Sequence, residues 1–420
     1  MRHHWQASQL DRGDRIFDTL LSDLRQHNQL FLYLEFTRTA GNYWRDADEP
    51  QTAIKWYHQG LPTQLWRHPI DSLEQDALGW LYVNLGYTYR LKLGQFYQAR
   101  KYYQLALQTF DQLGVTDPGT ARYVWIPLAN LYTRLGEFQA GEQLLHRYIS
   151  LSRHNGDTTG LVRGTMDLGM LYDSWGRVEL AEKSYQQALE HSPAVSNSRL
   201  QILVNLTALL LNQHRLAEAR TYHQKAQQLI SRASKTDFKR SILHGYLRNQ
   251  AIIAQKNKDY ATAEAVFQTL YNQLYDFYGS TQRREFGKHY VAVGQLYLAQ
   301  GRYRDATMAF QEALVSVVYK YCPDSLFKLP KMAQCYAENT ILDALEGLAQ
   351  TWEAWFQQTR EIHLLDRALS AREQMHMVSE ELRKVHLYEG SQLRNLEEIR
   401  LRSEAGIALA LQLAQLTHDP

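Results

Sequence analysis

Between residues 169 and 193 small and aromatic side chains follow a fixed order: Gly169, Tyr172 and Gly176, then Ala181, Tyr185, Ala188 and Pro193. The same spacing returns at Gly294, Tyr297, Gly301, Ala306, Phe310 and Ala313. Steps of three and four residues put side chains on one face of a helix. Each stretch therefore predicts two helices, the first with one thin face made by its glycines, the second alternating small and large residues. The small positions let the helices approach closely, and the aromatics fill the space between one pair and the next.

Weaker copies share these offsets. Gly41, Trp44, Ala53 and Tyr57 make a first unit, and Gly86, Tyr89, Ala99, Tyr103 and Ala106 a second, with one extra residue in its inter-helix turn. Ala129, Tyr132 and Gly136 anchor a third, which carries Gly141 where the others have alanine. Thr207, Ala219 and Ala226 mark a fifth, and Ala251, Ala263 and Phe267 a sixth; the two clear copies are the fourth and seventh. Successive anchors lie 45, 43, 40, 38, 44 and 43 residues apart. Beyond Pro323 the pattern changes. Residues 338–357 predict a long helix with apolar positions Ile341, Leu345, Leu348, Trp352 and Trp355, and residues 361–384 a second with Leu365, Ala368, Leu369, Met375 and Leu382. A last amphipathic segment runs from about Ser391 to Leu416 and ends in the apolar run from Gly406 to Leu411. That run is too apolar for a solvent-facing end cap, so it is expected to pack on something.

The signature resembles the tetratricopeptide repeat, whose period is about 34 residues. The extra residues here are expected to lengthen the helices or the connections between units. The resemblance spans residues 30 to 320 and implies an all-α fold, a right-handed superhelical solenoid of antiparallel helix pairs. It would hold about seven repeats plus atypical C-terminal helices. Residues 1–29 then form an N-terminal capping helix, 30–320 the solenoid, and 321–420 atypical repeat-like helices with a C-terminal cap.

Composition narrows the function. The chain has 420 residues, 45% apolar and 21% charged, so a large core is possible. No stretch approaches the ~20 apolar residues that span a bilayer. The start from Met1 to Trp5 leads into polar sequence without a signal core, and two cysteines, Cys322 and Cys335, make no disulfide framework. The expected compartment is the cytoplasm, with no membrane contact. A net charge of +2 with dispersed basic residues leaves no footprint for nucleic acid. The clusters Lys235–Arg240 and Arg283–Arg284 read as solvated loops, and most of the 27 tyrosines as packing.

Motifs for chemistry are sparse. No phosphate loop, zinc-protease helix or nucleophile elbow occurs. His3 and His4 lack partners at metal-ligand spacing and read as a frayed terminus. Asp46, Asp48 and Glu49 read as a turn feeding the next helix, where carboxylates suit the dipole. Ser325 and Lys328 have a Ser-x-x-Lys spacing without its partner motifs. His244-Gly245 and Gln334-Cys335 echo a caspase-like dyad but lack the parallel-strand context it requires. The chain is expected to have no catalytic constellation, cofactor or metal.

In the repeat family the first helix of each unit lines a concave groove. Carried over, that implies Glu35, Arg38, Asn42 and Arg45 in unit one and Trp80, Val83, Tyr87 and Arg90 in unit two. It implies Tyr123, Ile126, Asn130 and Arg134 in unit three, Arg163, Met166, Met170 and Asp173 in unit four, and Arg248, Ile252, Gln255 and Lys256 in unit six. Such a mixture suits a protein or peptide partner: amides for its backbone, arginines for its carboxylates, aromatics for its side chains. The family's dicarboxylate clamp maps onto Arg38, Asn42 and Asn84, but Tyr123 and Pro127 occupy its last two positions; Asn84 also belongs to a generic Asn-Leu-Gly helix pattern. Asn339 to Leu413 resembles the stretch after the repeats in bacterial TPR-CHAT proteins, where CHAT is a caspase-like protease module. The likeness lies in Ile341–Ala349, Leu364–Leu369, and Ser391 with Glu404–Ala410. It implies an alternative role as the regulatory part of such a peptidase, whose His and Cys motifs this sequence lacks. A peptide-sensing transcriptional regulator is the weaker alternative, since no basic helix-turn-helix precedes the repeats.

Ala181, Ala188, Ala306 and Ala313 should sit at helix crossings. Replacing Ala306 with Leu is expected to cost ~1–3 kcal/mol by overpacking; a urea midpoint equal to that of the unsubstituted chain would reject the register.

Overall fold

The computed structural model describes residues 18–61, 70–233, 238–335, 339–385 and 389–417. His3, His4, Lys235 and residues 1–17 of the expected N-terminal cap lie outside the described residues. Helix α1 covers residues 18–26. It is followed by α2 (Leu30–Asp46), α3 (Pro50–Gln59), α4 (Ser72–Leu91), α5 (Phe96–Gln112), α6 (Pro118–Arg134), α7 (Phe138–His154), α8 (Thr158–Trp175) and α9 (Val178–His191). Then come α10 (Asn197–Asn212), α11 (Leu216–Arg232), α12 (Arg240–Lys256), α13 (Tyr260–Tyr278), α14 (Arg284–Ala299), α15 (Tyr303–Val317), α16 (Asn339–Thr359), α17 (His363–Val385) and α18 (Glu389–Thr417). A single 3-10 turn, Met332–Gln334, precedes α16, and no strand occurs among the described residues. The fold is all-α, as the periodicity predicts. Lengths such as 20 residues for α4 and 17 for α5, α6 and α7 show that the helices take up part of the long repeat.

Each hairpin turn contains one left-handed residue: Asp48, Gly94, Gly136, Gly176, His214, Lys258 and Gly301, with φ between 59° and 76°. This corrects one expectation. The second glycine of the signature does not thin a helix face; Gly176 and Gly301 lie just past the ends of α8 and α14 and stop them. The following amide then reaches back to an otherwise unpaired carbonyl, Arg177 N–H to Tyr172 O at 2.8 Å and Arg302 N–H to Tyr297 O at 2.9 Å, which is the standard glycine-terminated helix end. The extra residue expected in the second unit is present: Lys92 to Gln95 join α4 to α5, where three residues suffice between α2 and α3.

The first glycine has the role expected of it. A Cβ on Gly86 would lie 2.8 Å from the Tyr103 ring, and one on Gly294 2.8 Å from the Phe310 ring; one on Gly41 would overlap Tyr57. The ring of the second helix thus rests on the backbone of the first. Behind the rings, Ala53, Ala99, Ala181, Ala219, Ala263 and Ala306 are fully buried. Where the third unit substitutes Gly141, the side chain of Leu171 leans into the gap.

The chain divides into two compact units, one of residues 1–135 with 139–171, the other of residues 136–138 with 172–420. In the first, α2 packs on both α3 and α4, and α5 on α4 and α6. In the second, first helices also touch one another, α10 with α12, α12 with α14 and α14 with α16. The atypical helices α16 and α17 follow the same mould. Gly347 of α16 also lies against the Phe310 ring, and Arg360 (φ 61°) supplies the left-handed turn. Trp352, fully buried, donates from Nε1 to Thr307 Oγ1 at 3.1 Å, so the largest side chain of this core leaves no orphan donor.

Left-handed backbone costs an L-residue about 1–2 kcal/mol, so Lys258→Gly should stabilise the second unit by up to about 1 kcal/mol and Gly301→Ala should destabilise it by a similar amount. Hydrogen exchange across α12–α15 reports both, because stacked repeats can open locally; shifts of the same sign would refute the turn assignment.

Candidate partner-binding face of the first unit

The helices expected to line a groove in the first unit are α2, α4, α6 and the part of α8 up to Leu171. Arg38 and Glu35, one turn apart on α2, form a two-point ion pair at 2.9 and 2.6 Å. The residue that would stand for the clamp's lysine thus already holds a carboxylate. Further along α2, Arg45 Nη1 donates to Asn42 Oδ1 at 3.0 Å and across to Asn84 Oδ1 on α4 at 3.2 Å. Tyr57 donates its hydroxyl to the same Asn42 oxygen at 2.8 Å. Burial pushes the Tyr57 phenol up to about 12 against the opposing pull of Arg45, so it stays a donor. With two donors on its oxygen, the Asn42 amide is fixed and turns its NH₂ away from them.

Aromatic groups flank this network. The Arg45 guanidinium lies 5.3 Å over the Tyr87 ring and pairs with Asp46 at 2.9 Å. Trp80 meets Phe110 and Tyr123 edge-on, with centroids 5.6 and 5.8 Å away. Tyr87 and Tyr123 remain 38% and 50% exposed. Below Trp80, burial and the neighbouring Glu35 carboxylate raise the pKa of Asp76.

Sequence reasoning missed Asp167. Its side chain is wholly buried on α8 and accepts from Arg163 Nε at 2.8 Å. Asn130 of α6 and Arg90 of α4 also favour its charged form, but burial dominates and raises its pKa. Asp167 stands two residues before the anchor Gly169, as Asn84 stands before Gly86. A polar side chain recurring at that offset, with Arg163 one turn earlier, was the signal available. Arg90, Asn130 and Arg163 are therefore brought together around one carboxylate.

Two expected groove residues fall elsewhere. Arg134 stacks on Phe96 of α5 with its guanidinium 3.9 Å from the ring centre. Arg248 belongs to the second unit, where burial lowers its pKa and Glu285 opposes that shift. Asn84, by contrast, is held by Arg45 and belongs to the network. The caspase-like pair also lies in the second unit. His244 is buried, edge-on to Phe277 at 6.0 Å. Cys335 follows the 3-10 turn rather than opening a helix, and burial pushes its thiol up, away from a reactive thiolate. Among the described residues no three His, Cys, Asp or Glu side chains gather as metal ligands, and no helix is long and apolar enough to cross a membrane.

The family model for the tetratricopeptide repeat matches residues 81–109 and 166–194, the second and fourth units. This chain carries tetratricopeptide repeats. Solved structures agree in fold. Aspartyl phosphate phosphatase F from Bacillus subtilis is 14% identical over 74% of this chain and 77% of that one, with a TM-score of 0.52. The apo form of RapI is 13% identical over 67% of this chain and 97% of that one, with a TM-score of 0.50. At these identities the likeness is one of fold. No curated protein matches the chain.

The buried carboxylate makes the Arg163–Asp167 pair of this repeat face asymmetric. Arg163 is 47% exposed and can turn to water, whereas Asp167 cannot. Arg163→Ala, which strands a buried charge, should cost about 3 kcal/mol, and Asp167→Asn clearly less. A carboxyl whose folded pKa is raised contributes most stability below its unfolded value, near 3.8, and loses it as pH rises through the folded value. The Arg163→Ala deficit should therefore shrink between pH 7 and pH 5; unfolding curves at both pH values check the order and the sign.

Proposed function

We propose that this chain is a non-catalytic scaffold that holds a peptide or protein segment against the tetratricopeptide face of its first unit. One observation carries the reading: the Asn42 amide is fixed by Tyr57 and by Arg45, and Arg45 itself lies over the exposed ring of Tyr87. A fixed amide suits the carbonyls of an extended backbone, and rigid rings suit its side chains, with little ordering left to do on binding. Arg38, Arg45 and Arg163 each hold a carboxylate already. Selection then rests on amide and aromatic contacts more than on an acidic partner, and binding depends weakly on salt. We assign the chain to the cytoplasm, where the free thiols Cys322 and Cys335 would remain reduced.

A second reading, regulation of a caspase-like protease module, is favoured by α18, whose Ile407 and Leu411, one turn apart, are each 60% exposed. A natural product longer than 420 residues that carries such a module would support it, and purification of the 420-residue chain without any protease partner would reject it.

For the scaffold, partners cross-linked to the wild-type chain in cells are compared with those of Asn42→Ala and Tyr87→Ala. Each substitution should leave helicity unchanged and weaken the captured partner about tenfold or more in calorimetry. An unchanged partner set and affinity would reject this face.

A further inference from the structure

In the second unit a crevice of about 490 Å³ opens between α13 and α14, with Gln268 and Tyr271 on one wall and His289, Tyr290 and Tyr297 on the other. The equivalent place in the first unit, between α3 and α4, is filled. There Tyr82 and Tyr89 stand at the same offsets from Gly86 as Tyr290 and Tyr297 do from Gly294, and His58 follows Ala53 as Gln268 follows Ala263. The filling is Tyr102 of α5. Its ring lies parallel to Tyr89 (5.5 Å, 3°) and stacks on Tyr82 (6.3 Å, 27°), and its hydroxyl is 3.2 Å from His58 Nε2. The counterpart of Tyr102 on α15 is Ala309. The pair of receiving tyrosines is retained, with the Arg302 guanidinium over one face of Tyr297 at 4.2 Å, while the residue at the position of Tyr102 is reduced to a methyl.

Two further features indicate what enters. His289 is 3% exposed and its Nδ1 has no hydrogen-bond partner, an arrangement that buried polar groups rarely keep without a ligand or water. Glu264 at the rim is already held by Arg302 and Gln300, each at 2.9 Å, so the crevice is not a cage for a cation. Beyond its mouth, the half-exposed Tyr275 stacks on Tyr271 (6.3 Å, 15°) and extends the aromatic surface along α13.

We propose that this crevice receives one tyrosine side chain from a partner polypeptide, its ring against Tyr290 and Tyr297 as Tyr102 lies against Tyr82 and Tyr89. Gln268 takes the hydroxyl in place of His58, the Nδ1 of His289 meets a second polar group, and Tyr275 supports the flanking residues. The site lies in the second unit and does not depend on the face proposed in the first.

The test titrates the full chain with acetyl-tyrosinamide and with a blocked Gly-Gly-Tyr-Gly-Gly peptide, using leucine analogues and p-cresol as comparisons. Binding is followed by the ring signals of isotopically labelled histidines, His289 being assigned through His289→Gln. The tyrosine peptide should bind and shift His289, and the leucine peptide should not. Ala309→Tyr, which refills the crevice from within, should weaken binding about tenfold or more; if that variant misfolds, Tyr297→Ala carries the same expectation. Tyr102→Ala should create a second equivalent of binding. Absence of binding, equal binding of tyrosine and leucine peptides, or wild-type affinity in the folded variant would overturn the proposal. Binding of p-cresol without the tyrosine peptide would also overturn it, in favour of a free phenolic ligand.

Discussion

Because Tyr57, Tyr103 and Phe310 rest against glycines of the preceding helix, the two helices of those hairpins close to a distance that a Cβ on the first would forbid. The packing density of a protein interior leaves no slack at such a contact, so the ring and the gap specify each other. Phe310 shows this best, since both Gly294 and Gly347 lie against its ring. That double seat carries the repeat geometry from α14 and α15 into α16, where the sequence signature has faded.

A stack built on this contact leaves other surfaces free to vary. The first helices need their anchors and fully buried alanines opposite them, while the side chains two positions before the anchors differ from unit to unit: Asn84, Pro127 and Asp167. Two of these positions hold polar side chains: Asn84 accepts from Arg45 of the neighbouring α2, and Asp167 pairs with Arg163 of its own helix with Asn130 and Arg90 nearby. The ordered amides and paired guanidinium groups are the consequence. They give this face defined directions for hydrogen bonding without a strong net field, which favours specificity over long-range attraction.

The crevices between successive hairpins follow the same logic in reverse. Tyr102, three positions after the buried Ala99, packs on Tyr82 and Tyr89 of α4, whereas the same position after Ala306 is the small Ala309, and a crevice lies between α13 and α14.

Hairpin register was legible from the chain alone because its determinants are local. Gly294 and Phe310 are 16 residues apart, the left-handed Gly301 lies between them, and both follow from steric rules that need no distant partner. Even there the second glycine was misread, since a thin helix face and a helix stop look alike in sequence. Nearly all of the groove positions could be placed on helices in the same way. Which of them act together was decided only in the tertiary structure: Arg45 reaches across to Asn84, Arg134 lies on Phe96, and Asn42 is held by Tyr57. The burial of Asp167 and the crevice between α13 and α14 likewise depend on which side chains arrive from neighbouring helices, a property of packing that no spacing along one helix encodes.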